Sequence, residues 1–95
     1  MQDKKINSSL LEKLFLKEVE RVEKIWIKGT YRWLAQKYPK AYTKLNSLEN
    51  TLNDIWRKAE EGKASLDDFT KALRAWSSYI RKAVSKRKEK EDSKT

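Results

Sequence analysis

Ninety-five residues with four Trp and two Phe are enough for one small core and too few for a second. Lys and Arg number 23 against 14 Asp and Glu, a net charge of +9 that speaks to partners or solubility rather than to fold. Cysteine and histidine are both absent, which excludes disulfides, thiol nucleophiles, the commonest zinc sites and histidine acid–base catalysis.

Residues 1–8 read as a flexible N-terminus without the apolar stretch of a signal peptide. A first helix is expected to begin at Asn7–Ser9, with Ser9 and Glu12 at capping-box spacing. Leu11, Leu14, Phe15, Val19, Val22, Ile25 and Trp26 recur at a helical period, and Gly29 is the natural place for that helix to end. Thr30 would then cap a short helical turn over 30–38 carrying Tyr31, Leu34 and Tyr38. Pro39 forces Tyr38 out of the α region and suits the first turn of a new helix, so a corner is expected here.

The second long helix has the cleanest pattern. Ala41, Leu45, Leu48, Leu52, Ile55 and Ala59 alternate steps of four and three, Trp56 widens the stripe, and Gly62 closes it. Ser65 followed by Asp67 and Asp68 reads as the next N-cap with acids in the first turn. Leu66, Phe69, Leu73, Trp76, Ile80 and Ala83 or Val84 form the third stripe, beyond which residues 86–95 read as a disordered charged tail. The expected fold is all-α: a three-helix bundle over 9–85 with the extra helical turn at the 30–38 corner.

The charge is sorted along this body. Lys13, Lys17, Arg21, Lys24 and Lys28 share one edge of a continuous first helix, with Glu12, Glu20 and Glu23 opposite. Glu18 falls within the apolar sector, where a carboxylate needs a partner unless the helix rotates it to the rim. Between Lys24 and Leu48 there is no acidic residue, and Lys24, Lys28, Arg32, Lys37, Lys40 and Lys44 interleave with Trp26, Tyr31, Trp33, Tyr38 and Tyr42. Lys71 to Lys90 form a second basic block, whereas residues 45–70 are net negative. In an up-down-up bundle the corner and the end of the third helix meet at one pole, which would merge the two basic blocks.

Basic side chains bind phosphates and release counterions, and exposed aromatic rings stack on unpaired bases. The pattern therefore points to a non-catalytic accessory protein that binds DNA or RNA through the phosphate backbone with weak sequence preference. The expected contacts are Lys24, Lys28, Arg32, Lys37, Lys40, Lys44, Arg81, Lys82, Lys86, Arg87 and Lys88, with Tyr31 or Trp33 stacking where exposed. The competing expectation is a helical protein-interaction module, including a homodimer, that docks through Leu10, Leu16 and Ile27 off the core sector. Salt-dependent retention on heparin or DNA would favour the first, and concentration-dependent sedimentation the second. The plain structural alternative is that Trp26, Trp33 and Tyr38 are core or corner residues and the lysines keep the surface solvated.

No glycine-rich phosphate loop and no nucleophile beside a base occur, so no catalytic residue, cofactor or metal is expected. Asp67, Asp68, Glu60 and Glu61 flank helix ends, where acids serve the helix dipole. No apolar run approaches the roughly 18 residues of a membrane span, and a cysteine-free chain fits a cytoplasmic location.

Overall fold

The computed structural model describes residues 5–92, with the side chains of 91 and 92 left aside. They form four helices: α1 (Ser8–Arg21), α2 (Lys24–Lys37), α3 (Pro39–Glu60) and α4 (Leu66–Asp92). No strand occurs among the described residues. The body measures 61 × 23 × 16 Å.

The expected first helix is two helices. The break falls at Val22–Glu23, where Glu23 takes the left-handed conformation (φ 68, ψ 81) and offers no side-chain cap. Gly29, expected to end the helix, lies inside α2. It serves a close approach instead, since a Cβ there would sit 2.5 Å from Arg87 Nη1. Thr30 is likewise no cap: it is fully buried, and its hydroxyl has no hydrogen-bond partner. The break shifts the helical phase, so Ile25 turns out to solvent at 89% exposure while Thr30 and Leu34 turn in.

The other caps follow local chemistry. α1 is capped by Asn7, whose side chain accepts from the Ser9 amide at 2.8 Å. Ser9–Glu12 is therefore not the cap, and Ser8 instead donates to Glu60 Oε2 at 2.6 Å. With the Ile6 amide donating to the Ala59 carbonyl, residues 5–8 are tied to the end of α3 rather than loose; residues 1–4 lie outside the described residues. Pro39 opens α3 as expected. α3 closes with Gly62 at φ 80, the Gly62 amide bonded to the Ala59 carbonyl and the Lys63 amide to Lys58, which is a Schellman motif. Ser65 and Asp68 then cap α4 reciprocally: the Asp68 amide donates to Ser65 Oγ and the Ser65 amide to Asp68 Oδ2.

α3 and α4 pair as an antiparallel hairpin, and their stripes meet as the spacing predicts. Leu45, Leu52, Ala59, Phe69, Leu73, Trp76, Ile80, Ala83 and Val84 are buried, although Leu66 at the start of α4 is exposed. α1 covers the turn-proximal half, where Phe15 packs its ring against both Trp56 and Trp76, and Trp56 meets Phe69 edge-on. α2 crosses the far half of α4. Trp26 near its start contacts Arg87 and Lys88, and Tyr38 just past its end meets Lys90.

Two expectations about α1 and α4 change accordingly. Residues 86–92 continue α4 as helix because α2 lies against them; 93–95 fall outside the described residues. Glu18 is half-buried, accepts from the buried Ser77 hydroxyl of α4 at 2.6 Å, and lies 3.9 Å from the Arg21 guanidinium on its own helix.

Candidate nucleic-acid interface

α2 carries two distinct faces. At about 100° per residue, Lys24, Lys28 and Arg32 line its solvent side, and all three are exposed. Lys37 at its last turn, and Lys40 and Lys44 in the first turns of α3, are exposed as well. The break at Glu23 separates Lys24 and Lys28 from Lys13, Lys17 and Arg21, so the single basic edge expected along one long helix is divided between two.

The opposite face of α2 meets α4, and an open groove of about 750 Å³ lies between them. Its origin is in the seam. Where the α3–α4 stripes approach this pole they carry Ala41 and Ala83 instead of Leu or Ile, and the missing volume is walled by Trp33, Leu34, Tyr38 and Tyr79. Lys82, Lys86 and Lys90 border it, with Glu89 beside them. Positions 82, 86 and 90 are one turn apart, a lysine ladder of about 6 Å per step along α4. Trp33 and Tyr38 form one aromatic wall, ring centroids 5.2 Å apart and close to edge-on. Tyr38 is 40% exposed. The Lys90 ammonium beside its phenol, with Lys86 and Lys37 contributing, holds that phenol below its ordinary pKa, and Lys90 is raised in turn.

Not every expected contact is presented to solvent in the same way. Arg87 and Lys88 are half-buried: Arg87 lies 4.8 Å and Lys88 5.1 Å from the Trp26 ring centre, and Lys88 is also ion-paired with Glu23. These two side chains help seat α2 on α4. Arg81 is exposed but does not line the groove; its helical position puts it on the other flank of α4. Tyr31 is half-buried. Its hydroxyl donates to Glu49 Oε1 at 2.5 Å and accepts from the Trp76 indole at 2.8 Å, tying α2 to α3 and α4. Burial first, and the Glu49 carboxylate second, push the Tyr31 phenol far above its ordinary pKa.

Tyr38, Tyr79 and Lys90 complete the groove and were not among the expected contacts. The four-residue spacing of Lys82, Lys86 and Lys90 and the alanines at seam positions 41 and 83 are the signals that mark them. The acids near the other end have structural partners: Asp67 pairs with Lys71, Glu61 with Lys63, Glu60 with Ser8 and Asp68 with Ser65. Among the described residues no three acidic side chains gather to hold a metal ion, and no helix is long and apolar enough to cross a membrane. No family model, curated protein or solved structure matches the chain.

Proposed function

We propose that this chain is a small, non-catalytic accessory protein that binds nucleic acid through the phosphate backbone. The observation that supports this most is convergence. Two stretches some forty residues apart in sequence, 33–41 and 79–90, line one groove. The first supplies Trp33 and Tyr38, the second Tyr79 and the lysines Lys82, Lys86 and Lys90, while the cations of 24–44 are exposed on the adjoining surfaces of α2 and α3. Lys82 and Lys86 at the groove, with Lys37, Lys40 and Lys44 at the adjoining helix ends, supply the phosphate contacts. Lys24, Lys28 and Arg32 extend the basic surface along α2. Binding of this kind releases counterions, so affinity falls steeply with salt and varies little with sequence. Titrating the affinity for single-stranded and duplex DNA and RNA against salt tests it. Absence of binding to all four at low salt rejects it.

A second reading, a protein-interaction module, draws on exposed apolar side chains. Leu10 and Leu16 are 41% and 47% exposed, and Ile25 is 89% exposed. Ile27, expected to share that surface, packs against the core instead. Leu10 and Leu16 lie about 120° apart on α1, so they do not form one patch. A mass that rises with concentration would favour this reading over the first.

A further inference from the structure

We infer that the groove between α2 and α4 seats an unpaired base of a single strand, while the Lys82–Lys86–Lys90 ladder follows the phosphates beside it. This rests on the nucleic-acid reading and adds to it the form of the ligand. Phosphate binding alone needs only exposed cations; it gives no reason for an apolar slot beside the lysine ladder of α4. The slot exists because Ala41 and Ala83 face the space where larger seam residues would close it. Its walls are rings: Trp33, Tyr38 and Tyr79. A flat, planar group bearing an anion fits both the walls and the rim, since aromatic faces stack on any base and lysines take the backbone. In a duplex the bases are paired and stacked inward, and no base reaches such a slot without leaving the stack. The single strand is therefore the occupant that uses the whole site. Glu89 at the rim repels phosphate locally and biases the backbone toward the ladder of lysines.

The test compares an oligothymidylate with an abasic strand of equal length, which has the same phosphates and no bases. Both are titrated with the full chain by fluorescence anisotropy at several salt concentrations. The expected result is oligothymidylate binding at least about five-fold tighter than the abasic strand, with similar salt slopes. Ala41→Leu fills the slot and leaves every cation in place; it is expected to erase the difference and keep the slope. Tyr38→Ala, at an exposed wall position, is the second variant should Ala41→Leu unfold, and is expected to reduce the difference. Equal binding of the two strands overturns the seated base and leaves phosphate binding intact. Failure of both strands to bind overturns the nucleic-acid reading itself. An undiminished difference in both variants overturns the placement in this groove. Anionic phosphatidylglycerol vesicles form the last arm: a groove variant that weakens vesicle binding but not strand binding overturns the inference in favour of a lipid surface.

Discussion

The chain uses a left-handed residue at two bends, Gly62 between α3 and α4 and Glu23 between α1 and α2, and supports them by opposite means. At Gly62 the residue type, the Schellman bonds and the Ser65–Asp68 cap all lie within a few positions of the turn. At Glu23 a side chain with a Cβ occupies the same region of backbone space, at a cost of about 1–2 kcal/mol, with no cap of its own. What holds that bend lies far along the chain: Lys88 on Glu23, Arg87 and Lys88 over Trp26, and Tyr31 bonded to Glu49 and Trp76. One turn is locally determined and the other is imposed by packing. The imposed one positions α2, and with it one wall of the groove.

Substitutions at the two bends should therefore behave differently. The largest effect is expected at Tyr31→Phe, which strands the Glu49 carboxylate and the Trp76 indole in a half-buried site. A loss of about 1–3 kcal/mol by urea unfolding is expected, and a loss under about 0.5 kcal/mol would show that the α2 anchor lies elsewhere. Gly62→Ala should lose about 1–2 kcal/mol, because alanine resists φ 80. Gly29→Ala should do the reverse. It sits in a helix interior, where alanine gains about 0.5–1 kcal/mol over glycine, and the atoms its Cβ meets are the far end of the Arg87 side chain, which must shift to admit it. The expected outcome is stability unchanged or slightly raised; a drop as large as that of Gly62→Ala would erase the distinction between the two glycines.

The smallest effect concerns pH. The Ser65 backbone amide, then its hydroxyl, hold the Asp68 carboxyl below its usual range, and Asp54 is lowered chiefly by Lys58. A depressed folded-state pKa contributes stability that is present above the unfolded value and lost as pH falls through the folded one. Wild type should thus lose stability on acidification below the ordinary carboxylate range. Asp68→Asn should lose less over that window in a pH series of thermal melts, and identical curves would remove the cap's ionic contribution.

The α3–α4 hairpin was legible from the sequence because its determinants are local or periodic: Pro39, Gly62, Ser65, and the seam from Leu45 to Ile80. The position of α2 was not. Nothing in residues 19–26 departs from helical spacing, and Ile25 fits the apolar period of a helix that does not continue. Only packing against α4 turns it outward. The basic pole was legible as charge, since Lys37, Lys40, Lys82 and Lys86 stand out without any fold. The groove was not, because Ala41 and Ala83 look like ordinary small seam residues until the two are seen to flank one space. The same packing assigns Arg87, Lys88 and Tyr31 to holding α2 in place, a task that charge and composition do not reveal.

Two double variants of equal charge test the central claim most directly. Lys82→Ala with Lys86→Ala removes two cations from the groove, and Lys13→Ala with Lys17→Ala removes two from the solvent side of α1. Affinity for oligothymidylate is measured against salt for both and for wild type. The groove variant is predicted to bind more weakly, with the slope of log affinity against log salt shallower by about 1.4, or about 0.7 per lost phosphate contact. The α1 variant should keep the wild-type slope. Equal losses in the two variants would mean that net charge alone drives binding, and would contradict an interface at this pole.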